Sequence, residues 1–256
     1  IKTKFTKRDI SILIGNMLDH FDGALYGFLA PVMAMSFFPK QDPIIQLILA
    51  YSLLATSLVT RPLGTLIFGI IAKKYGPIRA MSYSLIGVAI GSVFVGLVPD
   101  YNIIGYYGAI LLVIARFIKG IFAAGENAIA KLYIMEDKNY ENSFTASYIY
   151  QASSMMGIIL ASAISTLVLI SGTPYLWRLC FILGGSVGIW GYILRKYSSK
   201  NLKQNFVANT AKLKFAEIWH HKYKLLAIAF TTGLSHITYS IPCIVMNSLV
   251  PFITNI

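Results

Sequence analysis

Seven apolar runs, each long enough to cross a membrane as a helix, dominate this sequence. The hydrocarbon core of a bilayer is about 30 Å thick, and a helix needs roughly 20 residues to cross it. The runs are 10–38, 44–72, 80–98, 103–133, 144–170, 175–194 and 224–253. Only 12% of the residues are charged, about half the fraction in a soluble domain. The sequence therefore predicts a membrane protein with seven spans.

The runs are typical of helices. They lack the two-residue alternation of an outer-membrane barrel strand, so an all-α fold is predicted. The first run is too long for a signal peptide and contains acids. Cys180 and Cys243 both lie inside spans, which indicates small core residues and neither a disulfide nor a metal site.

The basic residues fall on one side of the predicted membrane. The net charge is +12, and most of the lysines and arginines precede the first span or follow the second, fourth and sixth spans. Lys40 is the one basic residue in the opposite loops. The positive-inside rule therefore predicts a cytoplasmic N-terminus. A nucleic-acid partner is not indicated, because this pattern is that of a membrane protein.

One long connection divides the chain. Residues 196–222 are polar and basic, whereas the other connections are short and contain helix-ending Pro, Gly, Asn or Asp. We predict a bundle of six helices at 1–195, a cytoplasmic linker at 196–222, and the first helix of an incomplete second bundle at 223–256.

Charged residues interrupt the apolar runs. The stretch LDHFDGALYGF at 18–28 places two carboxylates and an imidazole in the first span. Intramembrane charges are costly and are expected to face a protein interior and find partners. The candidate residues are Asp19, Asp22, Tyr26, Arg61, Arg116, Lys119 and Glu126. Their three carboxylates and three cations balance, which fits either static ion pairs or a polar cavity that exchanges a proton and holds an anion.

The sequence offers little chemistry beyond these charges. His20 is interpreted mainly as a packing or hydrogen-bonding residue and less as a proton relay, and His236 as a packing residue. His220 and His221 lie among lysines and indicate a solvated surface. An HExxH motif is absent from the sequence, so we predict neither an enzyme nor a metal or organic cofactor.

Several motifs resemble the metabolite:proton symporters of the major facilitator superfamily, particularly the proline/glycine-betaine type. The first span contains GN (15–16), DHFD (19–22) and YGF (26–28), which are similar to the family's GN, EWFD and YGF. Residues 61–64 (RPLG) resemble the second helix, and Arg116, Gly120 and Gly125-Glu126 resemble the fourth-helix pattern R-x-x-QG-x-x-x-GGE. The resemblance extends over essentially the whole chain.

The resemblance implies an alternating-access carrier of twelve helices in two bundles, driven by the proton gradient. Asp19, Asp22, Arg116 and Glu126 map to positions associated with proton coupling and substrate binding, and Tyr26 would line the cavity. The family's cytoplasmic loop motif maps to Gly69, Lys73, Lys74, Gly76 and Arg79. The expected substrates are small zwitterionic osmolytes or carboxylates such as proline or betaine.

The chain departs from the family pattern in composition and length. Lys73, His20, Lys119 and Ala124 replace an acid, a Trp, a Gln and a Gly of the motifs. Seven spans also make one bundle and one further helix, so we expect a truncated form. The alternative is a remnant without transport activity, or a half-transporter that needs a second polypeptide.

Two other membrane classes fit the sequence less well. A retinal protein is disfavoured, because the predicted seventh span has no interior lysine for a Schiff base and the charge bias gives the wrong orientation. A drug/proton antiporter of the same superfamily would carry a Gly-Pro-rich motif in its fifth helix. Residues 151–157 (QASSMMG) of the predicted fifth span lack that motif.

Overall fold

The architecture comes from a computed structural model of the chain. It describes residues 7–136, 140–173 and 175–199, together with residues 222–224, 226–227, 230–231, 234 and 238. The chain divides into two compact units, residues 1–204 and 205–256. Most of the predicted linker and of the predicted seventh span, including His220, His221, His236 and Cys243, lies outside the described residues.

Helices form the described part of the first unit. In chain order they are α1 (Lys7–Phe37), α2 (Pro43–Val59), α3 (Arg61–Tyr75), α4 (Pro77–Leu97), α5 (Tyr101–Ile104), α6 (Tyr107–Glu136), α7 (Tyr140–Ile170) and α8 (Leu176–Ser199). The helix α8 therefore continues four residues beyond 195, where we predicted the bundle to end.

Two predicted spans have internal breaks. The second span is divided into α2 and α3 at Thr60, because Pro62 at the start of α3 lacks an N–H group for the helical ladder. The fourth span begins later than predicted. Gly105, with a φ of 61°, separates the short helix α5 from α6.

Six helical segments form a transmembrane bundle. Among the residues that the structure describes, five stretches are long and apolar enough to cross a membrane: Pro43–Tyr75, Pro77–Leu97, Tyr107–Lys131, Ser143–Ile170 and Leu176–Ile193. The sixth segment, α1, falls outside that set and carries Asp19, His20 and Asp22 in its middle. Its 31 residues extend for about 46 Å, and it packs against α2, α6, α7 and α8. The prediction of an all-α membrane bundle is confirmed.

Glycines allow the helices to approach closely. A Cβ atom at Gly64 of α3 would lie 2.2 Å from the backbone oxygen of Ile121, and one at Gly157 of α7 would lie 2.2 Å from that of Met17. A Cβ atom at Gly188 of α8 would lie 2.9 Å from the Cβ of Ala89 in α4. Small residues at these contacts replace the hydrophobic driving force that is missing inside a membrane.

Aromatic side chains form a row through the main hydrophobic core. The ring centroids of Phe37 and Trp177 lie 6.0 Å apart, those of Trp177 and Phe181 lie 6.1 Å apart, and those of Phe181 and Tyr26 lie 6.4 Å apart. All four residues are at most 1% exposed. The row therefore connects the α1–α8 interface with the charged residues around Tyr26.

Polar contacts of Arg178 connect the start of α8 with the C-terminal end of α4. Arg178 of α8 donates from Nη1 to the backbone oxygen of Gly96 at 3.0 Å and to that of Val98. Its Nη2 atom forms an ion pair with the carboxylate of Asp100. Arg178 thus satisfies carbonyls at the C-terminal end of α4, which a helix leaves unpaired.

Candidate functional site

Charged side chains on facing surfaces of α1 and α6 form the candidate site. Asp19, Asp22 and Tyr26 follow one another at three- and four-residue spacing, which places them on one face of α1. Arg116 and Lys119 are related in the same way on α6. All five residues are at most 9% exposed, and we call them the buried charge cluster.

Asp22 forms the central ion pair of the cluster. Its Oδ2 atom contacts the ammonium group of Lys119, and its Oδ1 atom accepts a hydrogen bond from Ser92 of α4 at 2.6 Å. The Lys119 ammonium also lies 5.8 Å from the centre of the Phe181 ring. Asp22 therefore ties three helices together as a charged, hydrogen-bonded group.

Arg116 stacks on Tyr26. The guanidinium carbon lies 3.5 Å from the centre of the Tyr26 ring, and the Tyr26 hydroxyl donates to the backbone oxygen of Ala50 in α2 at 3.3 Å. Nε and Nη2 of Arg116 are buried without a hydrogen-bond partner among the described residues. Because a buried donor costs free energy when it is unpaired, these two groups are suited to receive an anion.

Asp19 lies one helical turn before Asp22. Its Oδ2 atom accepts a hydrogen bond from the side-chain amide of Asn127 at 2.7 Å. It also interacts electrostatically with Lys119. The carboxylate of Asp19 is thus held by a neutral donor, whereas that of Asp22 is held by a cation.

Two predicted site residues have other surroundings. Glu126 is fully buried on α6, next to Asn127. Arg61, which we predicted to be buried with the other charges, is exposed, so its predicted burial is wrong. Arg61 is the first residue of α3, and its charge interacts electrostatically with that of Arg116.

Polar groups near the start of the cluster join α1 to α7. The Asn16 amide nitrogen lies 2.7 Å from the hydroxyl groups of both Ser153 and Ser154 and 3.0 Å from the backbone oxygen of Tyr150. His20 Nδ1 lies 2.9 Å from the backbone oxygen of Asn16. Because a carbonyl oxygen can only accept a hydrogen bond, this contact requires the proton to be on Nδ1. This contact agrees with a hydrogen-bonding role for His20.

The residues of the family's cytoplasmic loop motif, which we call the gating loop, lie in the second half of α3, at Gly76 and at the start of α4. Gly76 adopts a φ of 90° and ends α3 by donating its N–H group to Ala72, a conformation that favours glycine. Lys73, Lys74 and Arg79 are exposed. A Cβ atom at Gly69 would meet no other atom within 4 Å, so the close helix approach occurs at Gly64, five residues earlier.

Apolar layers enclose the cluster on both sides along α1. On one side lies the core around Leu25, Leu29 and Phe37, and on the other a smaller core around Ile12 and Met81. Low local polarity strengthens electrostatic interactions and excludes water. The apolar surroundings therefore strengthen the interactions among the members of the cluster and raise the cost of leaving any of its charges unpaired.

Three participating residues were not predicted from the sequence. Ser92 and Asn127 supply hydrogen bonds to the two aspartates. The Phe181 ring lies near both the Tyr26 ring and the Lys119 ammonium group. A polar residue inside an apolar span was the available signal for Ser92 and Asn127. Phe181 offered none, since aromatic residues are common in all the spans. No group of three or more His, Cys, Asp or Glu side chains within the described ranges could hold a metal.

Sequence comparison finds transporters among the relatives of the chain. It is 31% identical over 229 residues to a putative proline/betaine transporter of Staphylococcus haemolyticus, covering 85% of this chain and 48% of the relative. It is 32% identical over 188 residues to the glycine betaine/proline/ectoine/pipecolic acid transporter OusA of Dickeya dadantii, covering 71% and 37%. The proline/betaine transporter of Escherichia coli K12 is 29% identical over 198 residues, with 75% and 39% covered. The chain thus spans about half the length of the first of these relatives and less of the other two.

Structural comparison gives the same fold. A solved structure of the proton:xylose symporter XylE bound to 6-bromo-6-deoxy-D-glucose matches with a TM-score of 0.66 at 17% identity, covering 75% of this chain and 44% of that one. Because the sequence relatives are transporters, the prediction that the chain is not an enzyme is confirmed. The family model of the Major Facilitator Superfamily matches residues 12–255, and the chain therefore belongs to that family as a multi-pass membrane protein.

Proposed function

We propose that this chain provides one helix bundle of a proton-coupled symporter for small zwitterions or carboxylates such as proline or betaine. The observation that carries the proposal is the buried Arg116, which stacks on Tyr26 and presents two unpaired donors. Family membership and the names of the relatives support the substrate class. The carrier would lie in the bacterial inner membrane with its N-terminus in the cytoplasm.

In this mechanism Arg116 binds the substrate carboxylate. A guanidinium group matches a carboxylate with two parallel hydrogen bonds, and the Tyr26 ring keeps the guanidinium plane fixed. Asp19 and Asp22 exchange the coupling proton, and the ion pair between Asp22 and Lys119 opens when a proton neutralises the carboxylate. The loop with Gly69, Lys73, Lys74, Gly76 and Arg79 would then change its contacts as the carrier alternates between its two states.

Transport and ligand binding test this proposal separately. Proteoliposomes that contain the chain as part of a complete two-bundle carrier receive radiolabelled proline or betaine outside under an imposed proton gradient, and binding is measured on the same purified carrier. We expect Arg116→Ala to abolish binding, and we expect Asp22→Asn to abolish proton-driven accumulation. Lys131→Gln changes an exposed charge outside the buried charge cluster and the loop between α3 and α4, and it serves as the matched control. Unchanged binding by Arg116→Ala would overturn the assigned site.

A half-transporter is the second candidate, because the helices of the first unit that the structure describes form a single bundle. The substrate pathway in transporters built from repeats lies between two bundles, so a second polypeptide would complete it. Affinity purification from membranes, followed by uptake assays with and without the copurified partner, distinguishes the two cases. Uptake by the chain alone would exclude the half-transporter.

A further inference from the structure

A groove of 270 Å³ lies on the bundle among α1, α7 and α8. Its floor is formed by Met17, Leu18 and Phe21 of α1, and its sides by the following residues of α7 and α8: Leu160, Ile164, Cys180, Leu183, Gly184 and Val187. The lining exposes no polar surface. A water molecule needs several polar partners to occupy a cavity, so the groove cannot hold water stably.

The groove lies within the hydrocarbon layer of the membrane. Leu160 is ten residues from the end of α7, and Leu183 is seven residues from the start of α8. At a rise of about 1.5 Å per residue these positions lie about 15 Å and 10 Å inside the helix ends. Leu160, Leu183 and Val187 at the rim are exposed, so the groove continues the lipid-facing surface of both spans.

Gly184 keeps the groove open. A Cβ atom there would lie 3.3 Å from Cε1 of Phe21, so a larger side chain at this position would fill the space over the floor. An empty groove loses dispersion contacts on one side of every lining atom. A flexible hydrocarbon chain is the molecule that the surrounding membrane supplies at this depth.

We propose that this groove binds one acyl chain of a membrane phospholipid. The acyl chain lies against Met17, Leu18 and Phe21 of α1, the helix that also carries Asp19 and Asp22, so its presence supports the helix that carries the site. This inference rests on the membrane location of α7 and α8 and is independent of substrate and proton coupling.

Photolabelling of the full chain tests the proposal. The protein is reconstituted in phosphatidylethanolamine and phosphatidylglycerol vesicles doped with a phospholipid that carries a diazirine near the middle of one acyl chain. Adducts are mapped by mass spectrometry. Groove residues surround a bound chain on two or more sides, so we expect at least about twofold more labelling of Leu160 and Leu183, per exposed area, than of Ile159 and Leu167 on the open surface of α7.

Filled-groove variants sharpen the test. Gly184→Leu, and Leu183→Trp, which fills the groove from its exposed rim, should lower the labelling of Leu160 to the level of Ile159. Ser186→Leu adds bulk on an exposed position of α8 outside the groove and should leave the labelling unchanged. Equal labelling of groove and open surface in the original chain would overturn the proposal. So would cross-links from the groove to residues 205–256 or to a second copy of the chain.

Discussion

Asp22, Asp19 and Arg116 have different close neighbours. Asp22 has a cation and a hydroxyl group, Asp19 has an amide, and Arg116 has the face of an aromatic ring. The neighbours determine how each group responds to substitution. Removal of one partner leaves an uncompensated charge in a region without water, whereas removal of both partners leaves none.

The pair of Asp22 and Lys119 should therefore show strong coupling. We expect Asp22→Asn or Lys119→Gln alone to lower the free energy of unfolding by about 3–5 kcal/mol, because the remaining charge is buried. The double variant should recover most of that loss. Thermal unfolding in detergent measures the coupling. Additive losses in the double variant would contradict a direct ion pair.

Tyr26 should act mainly through its ring. We expect Tyr26→Phe to cost about 1 kcal/mol, because it removes the polar contacts of the hydroxyl group with Ala50 and Arg116 but keeps the ring. Tyr26→Leu should cost about 2 kcal/mol more, because it also removes the contact with the Arg116 guanidinium. Unfolding measurements on both variants check the difference. Equal losses would show that the hydroxyl group, and not the ring, stabilises this position.

At the scale of elements, the packing of α3 on α6 positions the charged face of α6. Gly64 lies against the backbone of α6, while Gly69 of the same helix faces open space. Gly120 on α6 makes a matching approach, since a Cβ atom there would lie 2.4 Å from the backbone oxygen of Ser57. Close backbone contact of this kind leaves no room for even a methyl group.

Substitution of the two glycines of α3 should separate packing from helix propensity. We expect Gly64→Ala to destabilise the bundle by about 1–3 kcal/mol, because the added methyl group overlaps the oxygen of Ile121. Gly69→Ala is the matched control and should be neutral or stabilising, since alanine favours a helix. Thermal unfolding provides the measurement, and an equal effect of the two changes would rule out the close approach at Gly64.

At the scale of the whole molecule, the distribution of charge predicts the orientation in the membrane. Exposed basic residues between α3 and α4 lie at the end of the bundle opposite to Lys40 in the α1–α2 connection. The positive-inside rule assigns the first group to the cytoplasm. Orientation in turn determines from which side the site can receive its proton and its ligand.

Labelling of intact cells tests this orientation. In a background without Cys180 and Cys243, Lys40→Cys should react with a membrane-impermeant maleimide added outside. Lys74→Cys should react only after the cells are opened, because its loop lies in the cytoplasm. The reverse pattern would invert the predicted topology.

The sequence alone was sufficient for the membrane environment, the helical class, the family and most of the candidate site. The length of an apolar run matches the thickness of the bilayer that it crosses. A charged residue inside such a run indicates a functional or paired group, because its burial in the membrane costs free energy. The sequence also predicted that Asp19, Asp22 and Tyr26 share a face, since their spacing follows the helical period.

The tertiary structure decided which partners these residues have. Periodicity within one helix does not determine which residue of another helix it meets, so the pairing of Asp22 with Lys119 and the stacking of Arg116 on Tyr26 appeared only in the packed bundle. Ser92, Asn127 and Phe181 became part of the site for the same reason. The burial of Arg61 was also decided by packing, since the structure leaves its side chain exposed. Contacts between helices depend on crossing angle and close approach, which are properties of the assembled bundle.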